Sequence, residues 1–393
     1  MMQHYFAEPE SYCNFEFQHL FLRGQVDIGR LNAAWRAVFQ RHPILNSVIR
    51  WERDSGGPRQ IYRPGPPSVC QIEQTGPAGR KALIAQRRAY RVDLRRGCFE
   101  LLLLPGPGGV DMLMNTHHIV YDGWSCSVML DRLLKEYGSQ RPPSLPPAPE
   151  YTFEAFRVWQ SRLDPAPLHA AYRRMLRGYR HPPVSRPKGP AAFSSKSSLQ
   201  SALPLSYKEV RMLCGRFQAS PGAILTALWA REALRLYHAD DLVIGVVFSC
   251  RGLPMPALEQ GVGPFLSVLP LRVRAAGLPQ MIAAVHRDMA ELQQLQHIPF
   301  DYVSMAESIP FFSIDSVALI QNYPAATGQP PEGITLERVE TIYFPNNQIT
   351  FEIQNRSTGL TLLYRYDNRC FSRQSIERSA ARVSADVRSL AGR

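Results

Sequence analysis

The 393-residue sequence contains no run of about 18 uninterrupted apolar residues, and its start, MMQHYFAEPESYCNF, has no basic segment followed by an apolar one. Neither a membrane-spanning helix nor a secretory leader is expected, and a cytoplasmic protein is. The 7 cysteines show no C-x-x-C spacing, which argues against a zinc ribbon and for free thiols in a reducing compartment. Also missing are a glycine-rich phosphate loop and a G-x-S-x-G elbow. ATP and a serine nucleophile are therefore not expected. The arginines are spread along the chain without a helix-turn-helix, RNP or zinc-finger pattern, so nucleic acid is not an expected partner.

What is present is a globular composition: 45% apolar and 20% charged residues, with a full set of aromatics. The length predicts two or three domains. The net charge of +12 favours acidic partners, and an acidic carrier protein fits as well as any.

Helical spacing of Ile28, Leu31, Ala34, Trp35, Val38 and Phe39 predicts a helix capped by Asp27 and ended near His42 by Pro43. A hairpin around Asp-Ser-Gly-Gly follows, then a basic amphipathic helix over 80–96. FELLLL, the PGPGG turn and VDMLMNTHH read as strand, tight connection, strand. Helical periodicity returns at SVMLDRLLKEYG. Proline-rich segments at 141–149 and 181–190 flank a helix expected over 151–178, and the second marks a boundary between lobes 1–180 and 181–393.

Beyond the boundary, SYKEVRMLCGRF opens with a Ser-x-x-Glu capping box, and SPGAILTALWAREALRLY has Ser at its cap and Pro in its first turn. A buried-type strand, DLVIGVVFS, leads to a helix from Pro279 to about Gln296. Strands at DSVALIQNY, IYFPNN, QITFEIQN and LTLLYRYD precede a last helix near 373–391. The pattern is α+β in two lobes of similar rhythm.

The chemistry concentrates at NTHHIVYDGWSCSVML, residues 115–130, where two histidines stand between a strand end and a helix start. Metal ligation is disfavoured, because adjacent strand residues face opposite sides and H-H-x-x-x-D lacks the helical H-x-x-x-H geometry. Neighbouring Cys126 is read as a buried, inert thiol.

HHIVYDGWS resembles the HHxxxDG signature of condensation domains of nonribosomal peptide synthetases, within the chloramphenicol acetyltransferase-like superfamily. Other segments fall in the family's order over almost the whole chain. RHPILNSVIRW is similar to RHxxLR, YTFEAFRVW to Y-x-D-Y-A-x-W, VGPFLSVLPLRV to GxFVNTLPLR and HIPFDYV to the PFE stretch. GLTLLYRYDNRCFSRQSIERSAARV is similar to the C-terminal strand and helix. Two positions depart from the pattern: Asn46 replaces the second Arg of RHxxLR, and Ser267 the Asn of GxFVNT.

The resemblance implies two acetyltransferase-like lobes forming a V-shaped pseudo-dimer, with the motif loop at their junction and a tunnel open to both faces. It implies an acyl or aminoacyl donor on the phosphopantetheine arm of an acyl or peptidyl carrier protein, with no permanently bound cofactor or metal. A small amine or alcohol would be the acceptor, and the product an amide or ester. An imidazole, which ordinarily titrates at about 6.5, can take the acceptor's proton near neutral pH. His118 is assigned that role and His117 a structural one, since it should point the other way. Asp122 is expected to fix the loop, with Arg41 as one partner, and Gly123 to offer its amide to the oxyanion. Trp124, Trp159 and Ser267 are candidate tunnel residues; Arg173, Arg174, Arg177 and Arg180 form a candidate carrier surface.

The leading expectation is a free-standing condensation enzyme that meets its carrier by diffusion. One alternative is an acyltransferase of the same superfamily using coenzyme A or a polyketide carrier; another is a non-catalytic docking module of a synthetase assembly line.

Overall fold

The computed structural model describes residues 8–52, 57–63, 70–73, 75–139, 152–184, 187–253, 255, 258–298, 313–321, 330–356 and 359–392. By chain contacts they form two units. The first comprises Met1–Arg157, Pro254–Phe265 and Tyr323–Phe344; the second comprises Val158–Leu253, Leu266–Asn322 and Pro345–Arg393.

In chain order the elements up to the middle of the molecule are β1 (Phe15–Arg23), α1 (Ile28–Arg41), β2 (Ser47–Glu52), β3 (Gly57–Tyr62), β4 (Cys70–Ile72), α2 (Pro77–Arg88), β5 (Phe99–Gly106), β6 (Gly109–His117), α3 (Gly123–Gly138) and α4 (Thr152–Gln160). Then come α5 (Ala166–Met175), β7 (Lys196–Ala202), α6 (Tyr207–Phe217), α7 (Pro221–Leu236), β8 (Asp241–Phe248), β9 (Ser267–Arg274), α8 (Leu278–Leu295), β10 (Ser316–Ile320), β11 (Thr335–Tyr343), β12 (Ile349–Arg356), β13 (Gly359–Asp367) and α9 (Arg373–Leu390).

The first unit's sheet runs β11-β1-β6-β5-β4, antiparallel except for the β4–β5 pair. Its register is set at the PGPGG turn. Gly108 and Gly109 sit at φ 78° and 155°, and a Cβ on Gly109 would stand 2.2 Å from the Leu22 carbonyl oxygen, so only glycine lets β6 start flush against β1. One face buries Leu20, Leu22, Leu101, Leu103, Met112 and Met114 with Trp35 and Phe39 of α1 and Met129 and Leu133 of α3. On the other face Phe17, Leu102, Leu104 and Leu113 pack with Leu83 and Ile84 of α2.

The second unit's sheet runs β7-β13-β12-β10-β8-β9, with β10 parallel to both its neighbours. Trp229 of α7 stacks on Phe351 at 4.8 Å and donates its indole N–H to Ser316 at 2.9 Å, so the largest ring of that core leaves no buried donor unmatched. The capping box at Ser206 and Glu209 forms as the sequence predicts. No helix among the described residues is long and apolar enough to cross a membrane.

Several expectations need correction. The units are not consecutive halves: residues 158–180, expected in the first lobe, cluster with the second, and segments 254–265 and 323–344 return to the first. The helix expected over 151–178 is two, α4 and α5, separated where Pro165 and Pro167 interrupt the backbone donors. Helix α2 starts earlier than expected, at Pro77, and ends at Arg88. There the Asn115 side-chain amide takes up the carbonyls of Arg87 (2.7 Å) and Tyr90 (3.1 Å), closing the helix before the remaining arginines. The strand expected at IYFPNN is instead β11, ending at Tyr343. The tip of the first hairpin (53–56), the 141–149 segment and most of HIPFDYV lie outside the described residues.

Candidate active site

Strand β6 carries the first histidine as its last residue, and the chain leaves the sheet at the second. His117 is 1% exposed. Its Nδ1 accepts the Ile119 amide at 3.0 Å, and its ring meets Phe15 edge-on at 4.8 Å. The His118 amide donates to the Asn14 carbonyl at 2.9 Å, an acceptor aimed by the left-handed backbone of Asn14 (φ 66°).

The turn closes on Asp122, which is 1% exposed and caps α3. The helix therefore begins at Gly123, four residues before the SVML periodicity suggests. Asp122 Oδ1 accepts the Ser125 amide at 2.8 Å, and Oδ2 accepts the Phe265 amide at 3.1 Å. Ser125 reinforces this join: its hydroxyl lies 2.8 Å from Asp122 Oδ1 and 3.0 Å from the Gly263 carbonyl, and it accepts the Gly263 amide at 3.1 Å. Arg41, in the last turn of α1, does not pair with Asp122 among the described residues. The amides of Gly123 and Trp124, in the first turn of α3, have no acceptor within the helix, and they lie at its positive dipole end.

The His118 side chain is 15% exposed, and its Nε2 stands 3.2 Å from Oε2 of Glu16, itself 9% exposed. The imidazole lies nearly parallel to Tyr121 (centroids 5.2 Å apart, 10° between planes), with Tyr343 tilted against it at 4.3 Å. Sheet register explains the cluster. Glu16 is paired with Thr116 on one side and Tyr343 on the other, and cross-strand partners share a face. Tyr121 donates its hydroxyl to Glu16 and accepts from Thr116 at 2.9 Å. Burial, with the Glu16 charge adding to it, holds the Tyr121 phenol well above its ordinary range, so it stays a neutral donor. Gln18 bridges onward, donating to Glu16 at 3.0 Å and accepting from Cys126 at 3.3 Å. The Cys126 thiol is raised by burial, although Arg338 nearby pulls it down.

Sequence reading did not single out Glu16, Gln18, Tyr121 or Tyr343. A signal existed in β1, where Glu16 and Gln18 share a strand face with the buried Leu20 and Leu22. Their destination required the pairing of β1 with β6 and β11.

The other candidates fall in both units. Trp124, in the first unit, donates its indole N–H to the Glu259 carbonyl at 2.9 Å. Trp159 and Ser267 belong to the second unit, Trp159 with its ring 5.4 Å from His297 and Ser267 as the first residue of β9. Arg173 and Arg174 end α5, Arg174 in an exposed ion pair with Glu291; Arg177 lends its carbonyl to Arg272 at 2.7 Å, and Arg180 is exposed. A groove of about 350 Å³ lined by Thr75, Arg80, Lys81 and Ile84 lies over α2 and includes no motif residue.

Comparison with known proteins gives a consistent picture. The family profile described as condensation domain matches residues 1–391. The chain is 22% identical over 412 residues to tyrocidine synthase 2 of Brevibacillus parabrevis, covering 98% of this chain and 11% of that far longer protein. Among solved structures, the X-domain in complex with OxyB from teicoplanin biosynthesis superposes with a TM-score of 0.80 at 20% identity, covering 100% of this chain and 92% of that one. The condensation domain from the monacolin K polyketide synthase MokA gives 0.77 at 17% identity, with coverages of 99% and 96%.

Proposed function

The chain belongs to the condensation-domain family, and on that premise we propose that it joins an acyl or aminoacyl thioester, presented on the phosphopantetheine arm of a carrier protein, to a small amine or alcohol. The supporting observation is the folded HHxxxDG turn: Asp122 locks it at both carboxylate oxygens, and His118 sits beside the first-turn amides of α3 in sequence and in the same unit.

In this reading the acceptor's nitrogen or oxygen attacks the thioester carbonyl as its proton passes to the His118 imidazole. The carbonyl oxygen becomes an oxyanion, for which Gly123 supplies an amide donor at a helix N-terminus. Collapse breaks the C–S bond, and the imidazolium returns the proton to the departing thiolate. The products are an amide or ester and a free phosphopantetheine thiol. His117, committed to Ile119 and Phe15, maintains the turn. Arg173, Arg177 and Arg180 offer an acidic carrier a positive approach.

Intact-protein mass spectrometry of a carrier loaded with a panel of acyl and aminoacyl groups, mixed with this protein and candidate amines and alcohols, tests the reading. The carrier should lose its acyl mass in step with product, and His118→Ala should abolish both. A second reading, docking of a partner enzyme, draws on the likeness to the X-domain solved with OxyB. Product formation by the reconstituted system that is untouched by His118→Ala would favour docking and overturn catalysis.

A further inference from the structure

We propose that Arg338 determines specificity: its guanidinium receives a carboxylate carried at the far end of one of the two substrates, the acyl donor or the acceptor. The inference rests on the proposed function for what those substrates are, and the binding it predicts is read without turnover.

Strand β11 carries three charged side chains, Glu337, Arg338 and Glu340, and the sheet sorts them by face. Glu337 stands opposite Phe21 and Glu340 opposite His19, on the face that packs with α2. Both acids are matched: Glu337 accepts from Arg23 at 2.8 Å and Glu340 from Arg88 at 2.7 Å. Arg338 stands opposite Leu20, on the other face, with Glu16, Gln18 and α3. It is exposed and makes no ion pair among the described residues; its hydrogen bond there goes to the Cys126 thiol of α3, at 3.8 Å.

A bulge puts it on that face. The register shifts between His19 and Leu20, and Val339 is left without a partner on β1. In a regular strand Arg338 and Thr341, three residues apart, would point to opposite sides; the extra residue turns both toward α3. Val339 is left 55% exposed in exchange, so the irregularity gains no apolar burial. What it does gain is a cation aimed at the motif helix.

The strip on which Arg338 lies leads to the imidazole. Tyr343 meets His118 at 4.3 Å. Thr341 is next on the same face, with a buried hydroxyl that has no hydrogen-bond partner among the described residues, and Arg338 follows. Contacts also run from His118 through Glu16 (3.2 Å), Gln18 (3.0 Å) and Cys126 (3.3 Å) to Arg338 (3.8 Å). Two donors without an acceptor suit an anionic oxygen ligand, and a guanidinium fork suits a carboxylate. The Tyr343 and Arg338 rungs lie opposite Glu16 and Leu20, about 13 Å apart at the ordinary strand rise. An α-carboxylate, attached to the carbon that bears the attacking nitrogen, cannot span that gap. A terminal carboxylate on a chain of about eight carbons, met by the arginine's own reach, can.

Isothermal titration of the whole protein tests this with four probes, each added alone so that no bond is made. For the acceptor, ω-aminooctanoate is set against ω-aminooctanamide; for the donor, suberoyl-pantetheine is set against its terminal amide. The acid of one pair should bind about ten-fold more tightly than its neutral counterpart, and that pair identifies the substrate that carries the group. Arg338→Gln should bring the ratio close to one, while Arg338→Lys should keep part of it. Equal or absent binding within both pairs would overturn the proposal, as would a preference that persists in Arg338→Gln. Product formation that survives His118→Ala would instead sink the condensation reading and leave the binding preference standing.

Discussion

Asp122 accepts the amide of Phe265, 143 residues further along the chain, at 3.1 Å. One carboxylate thus caps the motif helix and pins a returning segment to it. Asp122→Ala removes the cap and leaves the Ser125 and Phe265 amides buried without that acceptor. The expected loss is about 1–3 kcal/mol in urea unfolding. Product formation should fall by about ten-fold or more as the His118–Gly123 turn loosens. Unchanged stability would show that the carboxylate is dispensable.

The two histidines should separate stability from turnover. His117→Ala deletes a buried ring, the acceptor of the Ile119 amide and the edge contact with Phe15. It should cost about 2 kcal/mol. His118 is more exposed, and its removal should cost less stability while abolishing product formation. Denaturation curves and carrier assays on both variants check this; the reverse ranking would discard the assignment.

The second anchor of the returning segment is steric. A Cβ on Gly263 would lie 2.8 Å from the Phe153 ring, while Phe153 and Phe156 both pack edge-on against Phe265. Gly263→Ala should lower stability by about 1–3 kcal/mol. Thermal unfolding reads it, and a neutral result would mean that Phe153 yields freely.

Burial pushes the Cys126 thiol up, so little nucleophilic thiolate is available near neutral pH. Iodoacetamide should leave Cys126 unmodified in the folded protein and alkylate it readily in urea, as read by peptide mass spectrometry. Rapid labelling of the native protein would contradict both its burial and its inert role.

How much of this was written in the letters differs from element to element. The core faces of α1, α3 and α7 and the β5–β6 hairpin follow from periodicity and turn chemistry, both local properties. The HHxxxDG turn is legible for the same reason. The pairs that define its chemistry are not local. Arg41 is a sensible partner for Asp122 by residue type, but the pair does not form among the described residues; the carboxylate accepts the amides of Ser125 and Phe265, and no composition rule encodes where a distant amide will point. Glu16 looked like an ordinary polar position in a strand until its register against Thr116 and Tyr343 was known. The single cut at residue 180 failed because chain order and contact order disagree: β11, late in sequence, completes a sheet begun at residue 15.

That late strand has a consequence for biogenesis. A ribosome must add more than two hundred residues after the imidazole before Tyr343 can reach it. The nascent first unit waits with an unpaired β1 edge, the kind of template that invites aberrant association. Premature termination upstream of β11 should therefore give a product that misassembles, not a half-sized catalyst.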